Sequence, residues 1–420
     1  MNTQPNPFTE LFLYNQCFRA SFSQIEKIGE GGFGNVYKAL SNVDNCVYAI
    51  KEIKIKLNKK KFQRSRAAFE SALNEIFFLS CTQSSQVVKL YHAWMEFDNS
   101  VTSSDFGFQK QKLLTQNLTK ENIFNSILKI SKRIRIYIQM ELCTSNLGDF
   151  LPKLFQIDLY SSKKVKERLE IALQICKGIK TIHDSGIIHR DIKTSNIFLS
   201  TSEYPQVKIG DFGLATFEDN LKYKEKEKSN GCNYHTKNVG TSIYMSPEQK
   251  ESNYYSKSSD IYSLGLVLYE LLCPYTCQME KIENFANIKS KGEIVVKQFK
   301  RNYPNIAEMI CNMVNKDMNL RPSIDEVVEM IENEIERILF LSNRKMSMDV
   351  EYTKMTINEE ENDNEQSTIM ECSTLSEGYE NNNLLLLLEE KELNVLDDDT
   401  FSLNQSDNEI FFIKKSNYIY

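Results

Sequence analysis

The stretch from Ile188 to Gly213 constrains this chain more than any other. It reads IHRDIKTSNIFL, then eleven residues ending in Ile209-Gly210, then Asp211-Phe212-Gly213. Apolar runs at Ile187-Ile188, Ile197-Phe198-Leu199 and Val207-Lys208-Ile209 read as short buried strands. The polar groups then fall on loops between rigid walls. Asp191 can accept the proton of an attacking hydroxyl, and Lys193 can neutralise charge on a moving phosphoryl group. Asn196 and Asp211 are hard oxygen ligands of the kind Mg²⁺ prefers. Each of these alone is an ordinary solvated polar residue. Their order and spacing together are what phosphoryl transfer can use.

The string resembles the catalytic and metal-binding loops of a eukaryotic protein kinase. That resemblance implies an α+β, bilobal fold, with an antiparallel sheet and one helix in the N-lobe and a mainly helical C-lobe. It also implies use of ATP and Mg²⁺. Upstream, Gly29-Glu30-Gly31-Gly32-Phe33-Gly34-Asn35-Val36 supplies GxGxxGxV between two strand-like runs, Phe22 to Ile28 and Val36 to Leu40. Glycines there let backbone N–H groups approach phosphate oxygens. A dinucleotide fingerprint would instead open a helix. Val47-Tyr48-Ala49-Ile50-Lys51 is similar to the strand whose lysine grips the α- and β-phosphates. Phe69 to Ser80 has helical periodicity, and Glu75, directly before the apolar run IFFL, is its best-placed partner for Lys51, with Glu70 the rival. Ile28, Ala49, Met140 at the back of the adenine pocket, the hinge from Glu141 to Cys143, and Leu199 complete the expected ATP site.

Downstream, Val239-Gly240-Thr241 and Ser246-Pro247-Glu248 close a segment opened by Asp211. Asp260 starts the apolar run IYSLGLVLYELL, which in kinases anchors the catalytic loop, and Arg321 is the expected partner of Glu248. Lys193 and Thr241 match the serine/threonine pattern, with Thr241 beneath the substrate serine.

The four histidines and ten cysteines form no HxxH or CxxC pair, which argues against zinc. The scattered cysteines suit reduced thiols, and neither a secretory signal nor a bilayer-length apolar run is evident, so a cytoplasmic enzyme is expected. Nothing reads as a nucleic-acid-binding domain. Residues 349–420 carry 18 acidic and 4 basic side chains, net −14, leaving net +8 on residues 1–348. Residues 1–21 read as an N-terminal extension, 22–338 as the kinase domain and 339–420 as an acidic, disordered tail with one helical candidate, Leu384 to Leu396. Two strand patterns, Tyr91 to Phe97 and Arg135 to Glu141, flank a polar insert at 98–133 that lacks obvious core residues and is far longer than a hairpin loop.

The finer details, YHAWMEF, the insert, IYIQMELC, GTSIYMSPEQ and SLGLVLYELLCPYTCQMEK, resemble the kinases of the alpha subunit of translation initiation factor 2. The endoplasmic-reticulum-stress and haem-regulated branch looks nearest. The likeness covers Phe22 to Glu336 and implies phosphorylation of a serine of that factor under stress. It also implies an activating phosphothreonine at Thr236, with Arg190 as a phosphate partner, and substrate docking at Lys281 on an amphipathic helix, Met279 to Lys289. Thr194 departs from the usual proline after HRDxK. Cys17 and Ser21 stand where the family carries an Arg and an Asp, the Asp belonging to a salt bridge between two N-lobes in a back-to-back homodimer, and Ser21 cannot supply that charge. A serine/threonine kinase with another substrate, such as a cell-cycle kinase, and an inactive kinase-fold module are the rival readings.

Overall fold

A computed structural model of the chain describes residues 12–14, 17–31, 34–97, 120–154, 161–200, 205–218, 243–251, 256–273, 275, 277–294 and 296–362. The N-terminal part is a six-stranded sheet: β1 (Phe12–Tyr14), β2 (Phe22–Gly31), β3 (Gly34–Ser41), β4 (Val47–Lys56), β5 (Leu90–Phe97) and β6 (Arg133–Glu141), in the order β1-β5-β6-β4-β3-β2. Five strands are antiparallel, and β1 joins the edge parallel to β5, with Phe12 opposite Trp94. Val36, Ala49, Ile136 and Ile138 are buried towards the inner face, following the two-residue strand period.

Three helices belong to this half rather than the one expected. The first, α1 (Cys17–Ser21), closes the outer face of the sheet: Phe18 stacks on Tyr137 at 4.9 Å between ring centroids, and its N–H donates to the buried Glu96 carboxylate at 2.7 Å. The supposed N-terminal extension therefore contributes a strand and a helix to the sheet. The second, α2 (Phe62–Cys81), buries Phe69, Ala72, Leu73, Ile76 and Leu79, the stripe expected from a 3.6-residue period. The third, α3 (Lys120–Ile130), corrects the reading of the insert. Ile123, Phe124 and Ile127 are buried, and Phe124 packs at 5.4 Å on both Phe62 and Phe69. An i, i+1, i+4 apolar trio inside a polar stretch is enough to pin one face of a short helix. Residues 98–119 lie outside the described residues.

The C-terminal part is mainly helical. After β7 (Ser145–Asn146) come α4 (Leu147–Leu154) and α5 (Ser162–Asp184), then the short strands β8 (Ile187–Ile188), β9 (Ile197–Leu199), β10 (Val207–Ile209) and β11 (Thr216–Phe217). Then follow α6 (Pro247–Glu251), α7 (Lys257–Leu272), α8 (Gln278–Lys291), α9 (Lys297–Asn302), α10 (Pro304–Met313) and α11 (Ile324–Asn362). A capping box between Ser256 and Ser259 starts α7, which is buried along almost its whole length. Gly292, at φ 65°, ends α8 in the left-handed conformation that glycine tolerates best. Val327, Ile331 and Ile338 of α11 are buried, and Lys177 of α5 meets Glu332 at 2.8 Å. No break occurs at 338: the helix runs on to Asn362, into the stretch expected to be disordered. The rest of the tail, including Leu384 to Leu396, lies outside the described residues.

Candidate active site

The nucleotide side is built from β2, β3 and β4. Gly31 pairs with Gly34 across the hairpin, while Gly32 and Phe33 lie outside the described residues. Gly34 has φ 138°, and a Cβ there would lie 2.0 Å from the Glu52 carbonyl oxygen, so no other residue fits. Val36, Ala49, Met140 and Leu199 belong to one buried apolar cluster, with Ile28, Leu142 and Cys143 packed against it half-buried. Burial pushes the Cys143 thiol up to about 12, which makes it an inert wall rather than a nucleophile. The Glu141 carboxylate is turned away into structure, accepting the Lys89 N–H at 2.6 Å and meeting Lys208 at 3.0 Å. Glu30 pairs with Lys27 on the exposed rim, and Asn35 donates to Glu52 at 3.3 Å.

Lys51 ends this wall. Its ammonium lies 2.5 Å from Glu75 and 3.0 Å from Asp211. Glu70 pairs instead with Arg66 at 2.8 Å. Burial would lower the Lys51 pKa, but the carboxylates of Asp211 and Glu75 outweigh it and raise it. Burial would likewise raise Asp211, yet Lys51, then Lys193, hold it below the ordinary carboxylate range. Asp211 has φ 61°, an uncommon conformation for a residue with a side chain. Ser71 of α2 donates to the Gly213 carbonyl at 3.1 Å and ties the helix to this turn.

Asp191 lies on the loop between β8 and β9, which meets the Asp211 turn where the Gly210 N–H donates to the Asn196 carbonyl at 3.1 Å. Its carboxylate accepts from Lys193 at 2.9 Å and from the Asn196 amide at 3.0 Å, and the same amide donates to the Asp191 carbonyl at 2.8 Å. Arg190 is held at φ 68° beside it. Asp260 fixes the loop from below: it accepts the N–H groups of His189 at 2.8 Å and Arg190 at 2.9 Å, and bonds His183 at 2.9 Å. The Arg190 guanidinium reaches the carbonyls of Leu214 and Ala215, just after Asp211. Thr236 and Thr241 lie outside the described residues.

Arg321 grips Glu248 with two bonds, of 2.8 and 2.9 Å. Burial would raise Glu248, but Arg321, with Ser259 and Ser246, draws it down to about 2.

Lys281 requires correction. It is 7% exposed, turned into the protein from α8, 2.5 Å from Glu270 of α7 and 2.8 Å from the Tyr244 hydroxyl. A docking cation on the rim cannot be the same ammonium that neutralises a buried carboxylate. Tyr244 in turn bonds Glu270 and lies 3.1 Å from the Thr194 hydroxyl, so the residue standing in for proline joins the catalytic loop to this network. Sequence reasoning missed Tyr244 and Glu270. The lone acid inside LGLVLYELL was the available signal, because a carboxylate at a fully apolar position needs an internal cation.

The protein kinase domain family matches residues 22–331. The chain belongs to that family. This kinase is 34% identical over 211 residues to the rat eukaryotic translation initiation factor 2-alpha kinase 3, covering 50% of the chain and 18% of that protein. The mouse interferon-induced, double-stranded RNA-activated protein kinase is 31% identical over 317 residues, covering 75% and 51%. The Arabidopsis thaliana eIF-2-alpha kinase GCN2 is 28% identical over 327 residues, covering 73% and 24%. The chain thus spans between about a fifth and a half of these relatives' length.

Protein kinases use ATP with a divalent metal, and the donor set here fits one. The Asn196 amide nitrogen is committed to Asp191, which leaves its carbonyl oxygen as the ligating atom; Asp211 is a quarter exposed, with one oxygen on Lys51. Among the described residues no group of three or more His, Cys, Asp or Glu could hold a metal, so phosphate oxygens would supply the remaining ligands. Among them, too, no helix is long and apolar enough to cross a membrane.

Proposed function

We propose that this kinase transfers the γ-phosphate of Mg²⁺-bound ATP to a serine of the alpha subunit of translation initiation factor 2, lowering translation under stress. The observation that supports the chemistry is the Asp191–Lys193–Asn196 cluster beside the Lys51–Asp211 pair, joined where the Gly210 N–H donates to the Asn196 carbonyl at 3.1 Å and the Lys193 charge helps hold Asp211 low. Asp191 orients the serine hydroxyl and takes its proton. Lys193 offsets charge on the transferred group, and Lys51, kept in place by Glu75, holds the phosphates in line. Asn196 and Asp211 would hold the cation, which supplies charge neutralisation when bound. The apolar slot between Ala49, Met140 and Leu199 takes the adenine.

The substrate reading rests on the similarity to kinases named for that factor. Docking is moved from Lys281 to the outer face of α8, where Met279 is 76% and Ile282 49% exposed. An exposed apolar pair one turn apart suits a folded protein partner. The proposal keeps residues 22–338 as the catalytic unit in a cytoplasmic setting, Thr236 as an autophosphorylation site ordered by Arg190, and Thr241 beneath the substrate serine. Cys17 and Ser21 share a hydrogen bond within α1 at 3.4 Å, and any homodimer through the N-terminal elements would form without the family's salt bridge there.

The test is phosphorylation of purified initiation factor 2 alpha by the wild type and by Lys51→Ala. Incorporation at one serine, lost in the variant, supports the reading. Transfer to generic proteins but not to the factor favours another substrate. Absence of ATP turnover in the wild type leaves only a binding module.

A further inference from the structure

One corner of the N-lobe carries charge of a single sign. Residues 53–69 hold seven Lys or Arg and no Asp or Glu, and residues 122–140 hold four and none. The fold brings the two stretches together. Lys56 faces Arg133 across β4 and β6, and the Leu57 N–H donates to the Lys132 carbonyl at 2.8 Å. Lys59, Lys60 and Lys61 form a single helical turn, capped by Asn58 at 2.8 Å and leading directly into α2; the Ser65 hydroxyl bonds the Lys56 carbonyl at 3.0 Å. The backbone presenting these lysines is therefore fixed.

The flanking acids are already engaged. Glu52 meets Lys54 at 3.1 Å and Arg135 at 3.4 Å, while Arg66 takes both Glu70 and Glu121. Lys56, Lys59, Lys60, Lys61, Lys129 and Lys132 are all exposed and have no carboxylate partner among the described residues. On α5, by contrast, Lys164, Lys166 and Lys177 each meet a glutamate. A fixed, one-signed corner favours an anionic partner more than dispersed, paired charge does.

We propose that this corner docks the chain's own acidic tail, through residues 389–399. That stretch, EEKELNVLDDD, holds six acids and one lysine, and residues 363–420 together carry 13 acids and 3 basic residues, net −10. Length is no obstacle: tens of residues at roughly 3.3 Å each reach far beyond a catalytic body about 50 Å across. Tethering gives the tail an effective concentration of about millimolar, which an untethered polyanion of equal affinity does not match in dilute solution. The contact is electrostatic, so salt weakens it over a Debye length of about 8 Å.

The experiment is carbodiimide cross-linking of the full chain, which condenses a lysine amine with a carboxylate and releases water. Peptide mapping at low and high salt locates the links. Links within one chain from Lys59, Lys60, Lys61 or Lys132 to the acids of 389–399 are expected, falling at least about five-fold in high salt and in Lys59→Glu/Lys60→Glu/Lys61→Glu. Tail links spread over C-lobe lysines, links found only between two copies, or no links at all would overturn the proposal. A second arm titrates the same full chain with a short double-stranded RNA. Tight binding lost in the triple variant would give the corner to nucleic acid and reject the tail. These exposed positions allow a folding control, a variant melt within a few degrees of wild type.

Discussion

Each half of the molecule buries a lysine against a glutamate, and the two centres are built almost alike at their core. Lys51 and Lys281 are both 7% exposed, and each ammonium lies 2.5 Å from a nearly inaccessible glutamate, Glu75 or Glu270. The third partner separates them. For Lys51 it is Asp211, whose side chain is a quarter exposed. For Lys281 it is the buried Tyr244 hydroxyl, with the rings of Tyr244 and Phe285 enclosing the ammonium at 5.2 and 5.6 Å. The same ion pair is thus open to a ligand where one partner meets solvent, and holds chain segments together where none does. A buried pair alone is weak evidence of function.

The largest effect should come from the open side. Asp191→Asn keeps the size and hydrogen-bonding shape of a residue already bonded to Lys193 and Asn196, but removes the proton acceptor. Turnover should fall by about 10²–10⁴-fold, with ATP affinity changed only a few-fold. Steady-state kinetics with equilibrium nucleotide binding check this, and near-wild-type turnover would break the open centre's claim to chemistry.

The closed centre should answer in stability instead. Lys281→Met leaves Glu270 buried without its cation, at a cost of about 3–5 kcal/mol, or roughly 10 °C in melting temperature. Adding Glu270→Leu should restore much of that loss, because an apolar pair can replace a buried ion pair. Denaturant melts of the single and double variants decide it. If Lys281→Met melts normally but loses only protein-substrate phosphorylation, the two lysines are functional equals and the comparison fails.

This contrast also marks what was legible in the sequence. That Asp191, Lys193, Asn196 and Asp211 come together could be read because phosphoryl transfer would demand fixed types at short spacings on one loop system. Glu75 could be chosen over Glu70 because an apolar run followed it. The inward turn of Lys281 could not be read, since its partners are 11 and 37 residues away on other elements. The helix Lys120–Ile130 was missed for a related reason: three apolar residues in a polar insert are too few to register as a periodic run, yet enough to pack on Phe69.

The Glu248–Arg321 pair lies between the two extremes, its guanidinium buried and its glutamate side chain 12% exposed. Its folded pKa of about 2 is below that of an ordinary glutamate, so its contribution is full above about pH 4.5. The contribution is lost as pH falls from there through 2. Arg321→Met should therefore lower the melting temperature at pH 7 and converge on wild type near pH 2. A gap that persisted in acid would mean the guanidinium acts through its bonds to the Asn315 and Ser258 carbonyls instead.

The smallest effect is expected at Lys289, the second lysine that α8 turns toward the segment before α6. Its ammonium bonds the Ile243 carbonyl and has no carboxylate partner among the described residues; burial, then Lys250, lowers its pKa to about 8. Lys281 has Glu270, so these two of the three lysines on α8 differ by a single counter-charge. Between about pH 8 and 10.5 the unfolded chain holds a proton that the folded Lys289 has released, so stability should rise with pH across that window. After allowance for solvent screening the gain is roughly 1 kcal/mol. The bond to Ile243 survives deprotonation, because a neutral amine still donates. Lys289→Met should flatten that rise without changing the melt's dependence on pH below 7. Thermal melts of both proteins from pH 7 to 10 measure the difference. Parallel curves would mean that Lys289 is as well compensated as Lys281, and that an unseen anion shares its pocket.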